Sequence, residues 1–143
     1  MGLDLGSRTI GVAISDPLGF TAQGYTVLKR TNTEGDLSAL GEIITNHAIE
    51  TVVLGYPKNM NNSLGPQARD TLLFAGSLQE STSCKVVLWD ERLTTKAAEA
   101  ILIGNGMRRG KRRQVIDMVA ATLILQGYLD SQTLSSESRS QEG

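Results

Sequence analysis

The chain has 143 residues, 40% of them hydrophobic and only 4% aromatic, which suits one compact domain with an aliphatic core and leaves no room for two. Lys and Arg number 14 against 15 Asp and Glu, and a formal net charge of -1 excludes a uniformly basic nucleic-acid coat, so any grip on a polyanion must be local. The single cysteine, Cys84, excludes an internal disulfide and a cysteine-rich zinc module, and it fits a reducing compartment. Apolar runs fall well short of the ~18 residues that span a bilayer. Met1 leads straight into Gly2-Leu3-Asp4, without the basic and apolar regions of a secretory signal. A cytoplasmic protein that does not meet the membrane is expected.

In chain order, Gly2-Leu3-Asp4-Leu5-Gly6 forms a first strand, and Ile10, Val12 and Ile14 alternate with small residues in a second, which makes a hairpin. After the turn-rich passage with Asp16-Pro17 and Gly19, residues 23–30 supply a third antiparallel strand. From Thr33, Leu37, Leu40, Ile43 and Ile44 recur at helical spacing, with Glu34 and Asp36 near the positive end, and the helix ends near His47. Residues 51–55 and 85–89 are short apolar strands flanking a helix over 67–78. Apolar on both faces, they should be parallel and joined by right-handed crossovers. A short helix over 94–102 and a longer one over 113–129 follow, the latter burying Val115, Ile116, Val119, Leu123 and Ile124. Residues 131–143 are too polar to repay ordering and read as a disordered tail, leaving one domain over 1–130. The expected fold is α/β: a mixed five-stranded sheet, three strands antiparallel then two parallel, with helices on both faces. The RNase H-like sheet is one such arrangement.

Three acids stand out. Asp4 lies between two leucines and projects from the opposite face at a strand end, where its lost solvation calls for a cation or for donors from the 6–9 turn. Asp117 shares a helix stripe with Ala120, Ala121, Ile124 and Tyr128, small enough at the alanines to approach the sheet; an ordinary first-turn Asp favoured by the helix dipole is the alternative. Asp90-Glu91-Arg92 falls at the carboxyl edge of the last strand, where open α/β sheets build sites, although Asp90 also suits a helix cap. Glu91 must reach back across an intervening strand, about 10 Å. Asp4, Glu91 and Asp117 together offer hard oxygen ligands without a zinc-type His/Cys set, which favours Mg²⁺ or Mn²⁺ and in-line phosphodiester hydrolysis. His47, the only histidine, suits a helix end better than general-base work. Arg108, Arg109, Lys111, Arg112 and Arg113 crowd a glycine-bounded loop directly before the Asp117 helix, a local phosphate-binding feature or else a solvated surface. The loop over 56–65 carries Asn and Ser side chains that either contact substrate or merely turn the chain.

Over nearly its full length the sequence resembles the YqgF/RuvX family of RNase H-like proteins, related to RuvC-type Holliday junction resolvases. The resemblance rests on Gly2-Leu3-Asp4-Leu5-Gly6-Ser7-Arg8-Thr9-Ile10-Gly11-Val12-Ala13, Asp90-Glu91-Arg92-Leu93-Thr94-Thr95, the basic run, and Asp117-Met118-Val119-Ala120-Ala121. It implies a nuclease that matures the 5′ end of small-subunit ribosomal RNA, in contact with the assembling subunit, as monomer or homodimer. It carries over Asp4, Glu91 and Asp117 as catalytic and metal-binding acids, with Asp16 and Asp90 as weaker candidates. Arg8 and Arg92 join the basic run as candidate nucleic-acid contacts. The chain departs from RuvC relatives in having one acid, Asp117, where they carry two near the last helix. Competing expectations are a resolvase of branched DNA, a non-catalytic RNA-binding assembly factor, and a nucleotide binder suggested by Asp4-Leu5-Gly6-Ser7-Arg8-Thr9. Size counts against the last, because such binders clamp nucleotide between two domains.

Overall fold

The computed structural model describes residues 1–56, 66–90 and 109–142, and their side chains except at 66, 109–115 and 133–142. The alternating apolar residues of the amino-terminal segment pair as a hairpin. In it β1 (Gly2–Leu5) and β2 (Thr9–Ser15) run antiparallel, and the Gly6 N–H closes the turn by donating to the Thr9 carbonyl at 2.9 Å. The next turn is built by Asp16, whose Oδ1 accepts from the backbone N–H groups of Phe20 and Thr21 at 2.7 and 3.1 Å. It returns the chain as β3 (Ala22–Lys29), antiparallel to β2 with a bulge at Val12/Ala13.

Asn32 caps α1 (Thr33–Asn46) by accepting from the Gly35 N–H at 2.7 Å, and His47 ends the helix. The two parallel strands follow: β4 (Thr51–Tyr56) beside β1, α2 (Pro66–Ser81), and β5 (Lys85–Asp90) beside β4. The final element is α3 (Arg109–Glu142). The spatial order β3-β2-β1-β4-β5 puts the amino-terminal strand at the centre, three strands antiparallel and two parallel as expected.

Alternation divides the sheet between two cores. Leu3, Leu5, Ile10, Val12, Val52 and Leu54 pack with Leu40, Ile43 and Ile44 of α1 and with Phe74, Ala75 and Leu78 of α2. On the other face Ala13 and Val53 meet Ala121, Ile124 and Leu125 of α3. Gln126 pins α3 to the β2–β3 turn, its Oε1 accepting from the Ala22 N–H at 2.9 Å and its Nε2 donating to the Phe20 carbonyl at 3.0 Å.

Helix α3 departs from expectation at both ends. It starts at Arg109 rather than at 113, so Arg109, Lys111, Arg112 and Arg113 occupy its opening turns and not a loop. Arg, Lys and Gln are strong helix formers, and one glycine near a helix start costs little. Beyond 129 the backbone stays helical to Glu142 through residues expected as an irregular tail. A packed helix adds further residues without a new nucleation step. The expected helix over 94–102, the expected loop over 56–65 apart from Tyr56, which ends β4, and Glu91, Arg92 and Arg108 lie outside the described residues.

Candidate active site

Asp4 sits one residue before the end of β1, half-buried, with Gly11 as its cross-strand partner. Partners in an antiparallel ladder project to the same face. The Gly11 face is the one covered by α3, since a β-carbon built there would stand 1.9 Å from the Asp117 carbonyl oxygen. Gly2, on the same face of β1, is equally constrained: its β-carbon would fall 2.7 Å from the Ala121 carbonyl oxygen. Hydrogen at these positions lets the helix backbone lie directly on the strands. Asp4 and Asp117 are thereby brought to one face of the sheet, at the end where β1, β4 and β5 all finish.

The Asp117 carboxylate reaches the β1–β2 turn. Its Oδ2 accepts a hydrogen bond from the Thr9 hydroxyl and lies 3.9 Å from where a Gly6 β-carbon would be. With about 3.6 residues per turn, the start at Arg109 places Asp117 in the third turn of α3, beyond the reach of the helix dipole. Its position is therefore set by contact with the hairpin. Ala120 and Ala121 behind it are buried, as their small size permits.

The turn is held by residues that the sequence motifs do not single out. Arg30 Nη1 donates to the Gly6 carbonyl at 2.9 Å, and the Arg30 backbone N–H donates to the Arg8 carbonyl at 2.8 Å. Arg30 Nε pairs with Asp36 Oδ2 at 3.2 Å, and Asp36, only 3% exposed, also accepts from the Thr31 N–H at 2.9 Å. Asp36 is thus a buried ion-pair partner as well as a first-turn acid. Glycine at alternate strand positions was the available signal for close helix approach. Nothing in the sequence pattern pairs Arg30 with Asp36.

The other acids part company with Asp4. Asp16 follows the far end of β2, about 17 Å along the strand from Gly11 at roughly 3.4 Å per residue, and its carboxylate builds the β2–β3 turn. This removes it as a candidate ligand. Asp90 closes β5 at the correct edge, in register with Tyr56, but alternation gives it the face of Val86 and Leu88 while Asp4 has that of Trp89. Strand β4 does separate β5 from β1, so the reach required of Glu91 stands. Arg8 is exposed at the tip of the hairpin turn.

An open cleft of about 240 Å³ flanks that turn, lined by Leu5, Gly6, Ser7, Gln67 and Asp70. A larger one, about 650 Å³, lies at the opposite end of the strands among Met1, Asp16, His47 and Tyr128, remote from both carboxylates. Among the described residues no three His, Cys, Asp or Glu side chains form a metal-holding group. Two carboxylates on one face beside a glycine turn fit a hard divalent cation such as Mg²⁺ or Mn²⁺, provided a third oxygen ligand joins them.

The family model RuvX, described as Holliday junction resolvase, matches residues 1–131. The chain belongs to the RuvX family. A relative from Moorella thermoacetica, named "Putative pre-16S rRNA nuclease", is 55% identical over 130 residues, covering 91% of this chain and 93% of its own. One of the same name from Bacillus subtilis is 53% identical over 133 residues, covering 92% and 96%. Among solved structures, the fowlpox virus resolvase in complex with Holliday junction DNA has a TM-score of 0.55 at 14% identity, covering 92% of this chain and 96% of that one. Thermus thermophilus RuvC with a Holliday junction substrate has a TM-score of 0.56 at 14% identity, covering 92% and 93%. These likenesses give the RuvX chain the RNase H-like fold that the resemblance implies and that its strand pattern allows. No helix among the described residues is long and apolar enough to cross a membrane.

Proposed function

We propose that this RuvX protein is a divalent-metal-dependent endonuclease that hydrolyses phosphodiester bonds of structured nucleic acid, with 5′-end maturation of pre-16S ribosomal RNA as its reaction. The observation that carries the reading is the placement of Asp117, deep in α3 yet delivered onto the hairpin face that also bears Asp4. The names of the similar relatives support the choice of RNA. Asp4 and Asp117 are the principal metal ligands, and Glu91 is a third ligand or orients the attacking water. A bound Mg²⁺ or Mn²⁺ supplies Lewis acidity toward the scissile phosphate.

Arg109, Lys111, Arg112 and Arg113 open α3 with no acid in its first turn. Positive charge is unfavourable at the positive end of a helix dipole. A polyanion would offset that cost, so these residues, with Arg8, Arg92 and Arg108, hold the phosphate backbone beside the acids. The catalytic unit is residues 1–130, acting in the cytoplasm on the assembling small subunit, as monomer or homodimer.

The description of the family favours a second reading, resolution of branched DNA by the same acids. Purified protein is to be assayed on precursor rRNA and on four-way DNA junctions with Mg²⁺, Mn²⁺ or chelator. Cleavage of the RNA that needs metal and is abolished by Asp4→Asn, with RNA affinity retained, supports the proposal. Cutting of the junction alone transfers the site to the second reading. RNA binding without metal-dependent cleavage of either substrate rejects hydrolysis and leaves an assembly factor.

A further inference from the structure

The β1–β2 turn is immobilised from several directions. The Gly6 N–H to Thr9 carbonyl bond closes it, and Arg30 holds both Gly6 and Arg8 while itself paired to the buried Asp36. On the other side the backbone of Asp117 rests on Gly11 with no space for a β-carbon between them. The Thr9 hydroxyl, half-buried, bridges these two fixed bodies by donating to Asp117 Oδ2. A threonine hydroxyl has one proton to give. Directed to Oδ2, it selects one orientation of the carboxylate and leaves Oδ1 free of that bond. The interaction is no helix cap, because Asp117 lies in the third turn of α3.

We infer that Thr9 is a positioning residue that presents the Asp117 carboxylate to a divalent cation, an inference that rests on Asp117 being a metal ligand. Partners that orient a metal-binding carboxylate govern affinity without touching the ion. A merely structural Thr9 would affect stability and leave ion binding alone.

Calorimetric titration of the full chain with Mn²⁺ separates the cases, with thermal unfolding of each metal-free variant measured alongside. Thr9→Val, isosteric but without the hydroxyl, should weaken Mn²⁺ binding by about 10- to 100-fold, whereas Thr9→Ser, which keeps the donor, should stay within about threefold of the parent. Asp117→Asn should bind more weakly than the parent. Parent-like binding by Thr9→Val alongside weak binding by Asp117→Asn overturns the role of Thr9 and leaves Asp117 as ligand. A parent that does not bind Mn²⁺, or Asp117→Asn binding as the parent does, overturns both. If Thr9→Val does not fold, Thr9→Ala compared with Thr9→Ser reads the same hydroxyl, and equal affinities for that pair overturn the proposal.

Discussion

The carbonyl oxygen of Asp117 occupies the space that a side chain at Gly11 would need: a β-carbon there would lie 1.9 Å away. Gly11 is also the ladder partner of Asp4, so one hydrogen-only position sets how closely the two acids approach. Gly11→Ala must push α3 off the sheet and should cost at least about 1–3 kcal/mol, the range for overpacking. Gly41 in α1 is the control, because a β-carbon there meets nothing within 4 Å. Gly41→Ala should stabilise by about 0.5–1 kcal/mol. Urea unfolding followed by fluorescence of Trp89, which packs edge-on against Tyr128 of α3, checks both signs.

The Arg30–Asp36 pair makes a separate prediction. Asp36→Ala leaves the guanidinium without its carboxylate and removes the acceptor of the Thr31 N–H. The expected loss is about 2–3 kcal/mol, below the range for a fully enclosed pair because Arg30 retains 22% side-chain exposure. Urea midpoints at unchanged slope measure it. A loss under about 0.5 kcal/mol would make the pair an ordinary surface contact.

Neutralising the opening of α3 should move two quantities in opposite directions. Replacing Arg109, Lys111, Arg112 and Arg113 by Gln removes cations from the positive end of a helix dipole, so stability should hold or rise by a few tenths of a kcal/mol per site. RNA affinity should fall, and the slope of log affinity against log salt should shrink by roughly 0.7–0.9 for each phosphate that is no longer neutralised. Filter binding across a salt series, with parallel unfolding curves, tests the pair of effects. Unchanged affinity and slope would make the cluster a solvated surface.

The sheet was legible in the sequence because β2 alternates large apolar with small residues, Ile10, Val12 and Ile14 against Gly11 and Ala13, and β4 is a continuous apolar run, Val52-Val53-Leu54, as suits strands covered on both faces. Asp4 announced its face through the leucines on either side. The start of α3 was not legible, because the sequence places Gly110 amid repelling cations and only the folded chain shows the helix passing through them. That shift changes the meaning of Asp117: four residues deeper in the helix, it loses the dipole as an explanation and gains Thr9 as a partner. The Asp36 carboxylate was hidden for another reason. A first-turn acid satisfies the rule for helix starts wherever its side chain goes, and only tertiary contact reveals its bond to Arg30. Asp16 is a weaker candidate by resemblance alone, and strand direction carries it to the wrong end of β2.

The central claim is that Asp4 and Asp117 share a divalent cation. A crystal soaked in Mn²⁺ and measured at the manganese absorption edge tests it most directly. An anomalous peak is expected within about 2.0–2.6 Å of a carboxylate oxygen of each residue, the ordinary range for oxygen-bound divalent ions. A peak elsewhere, or none at an Mn²⁺ concentration that supports cleavage, would contradict it.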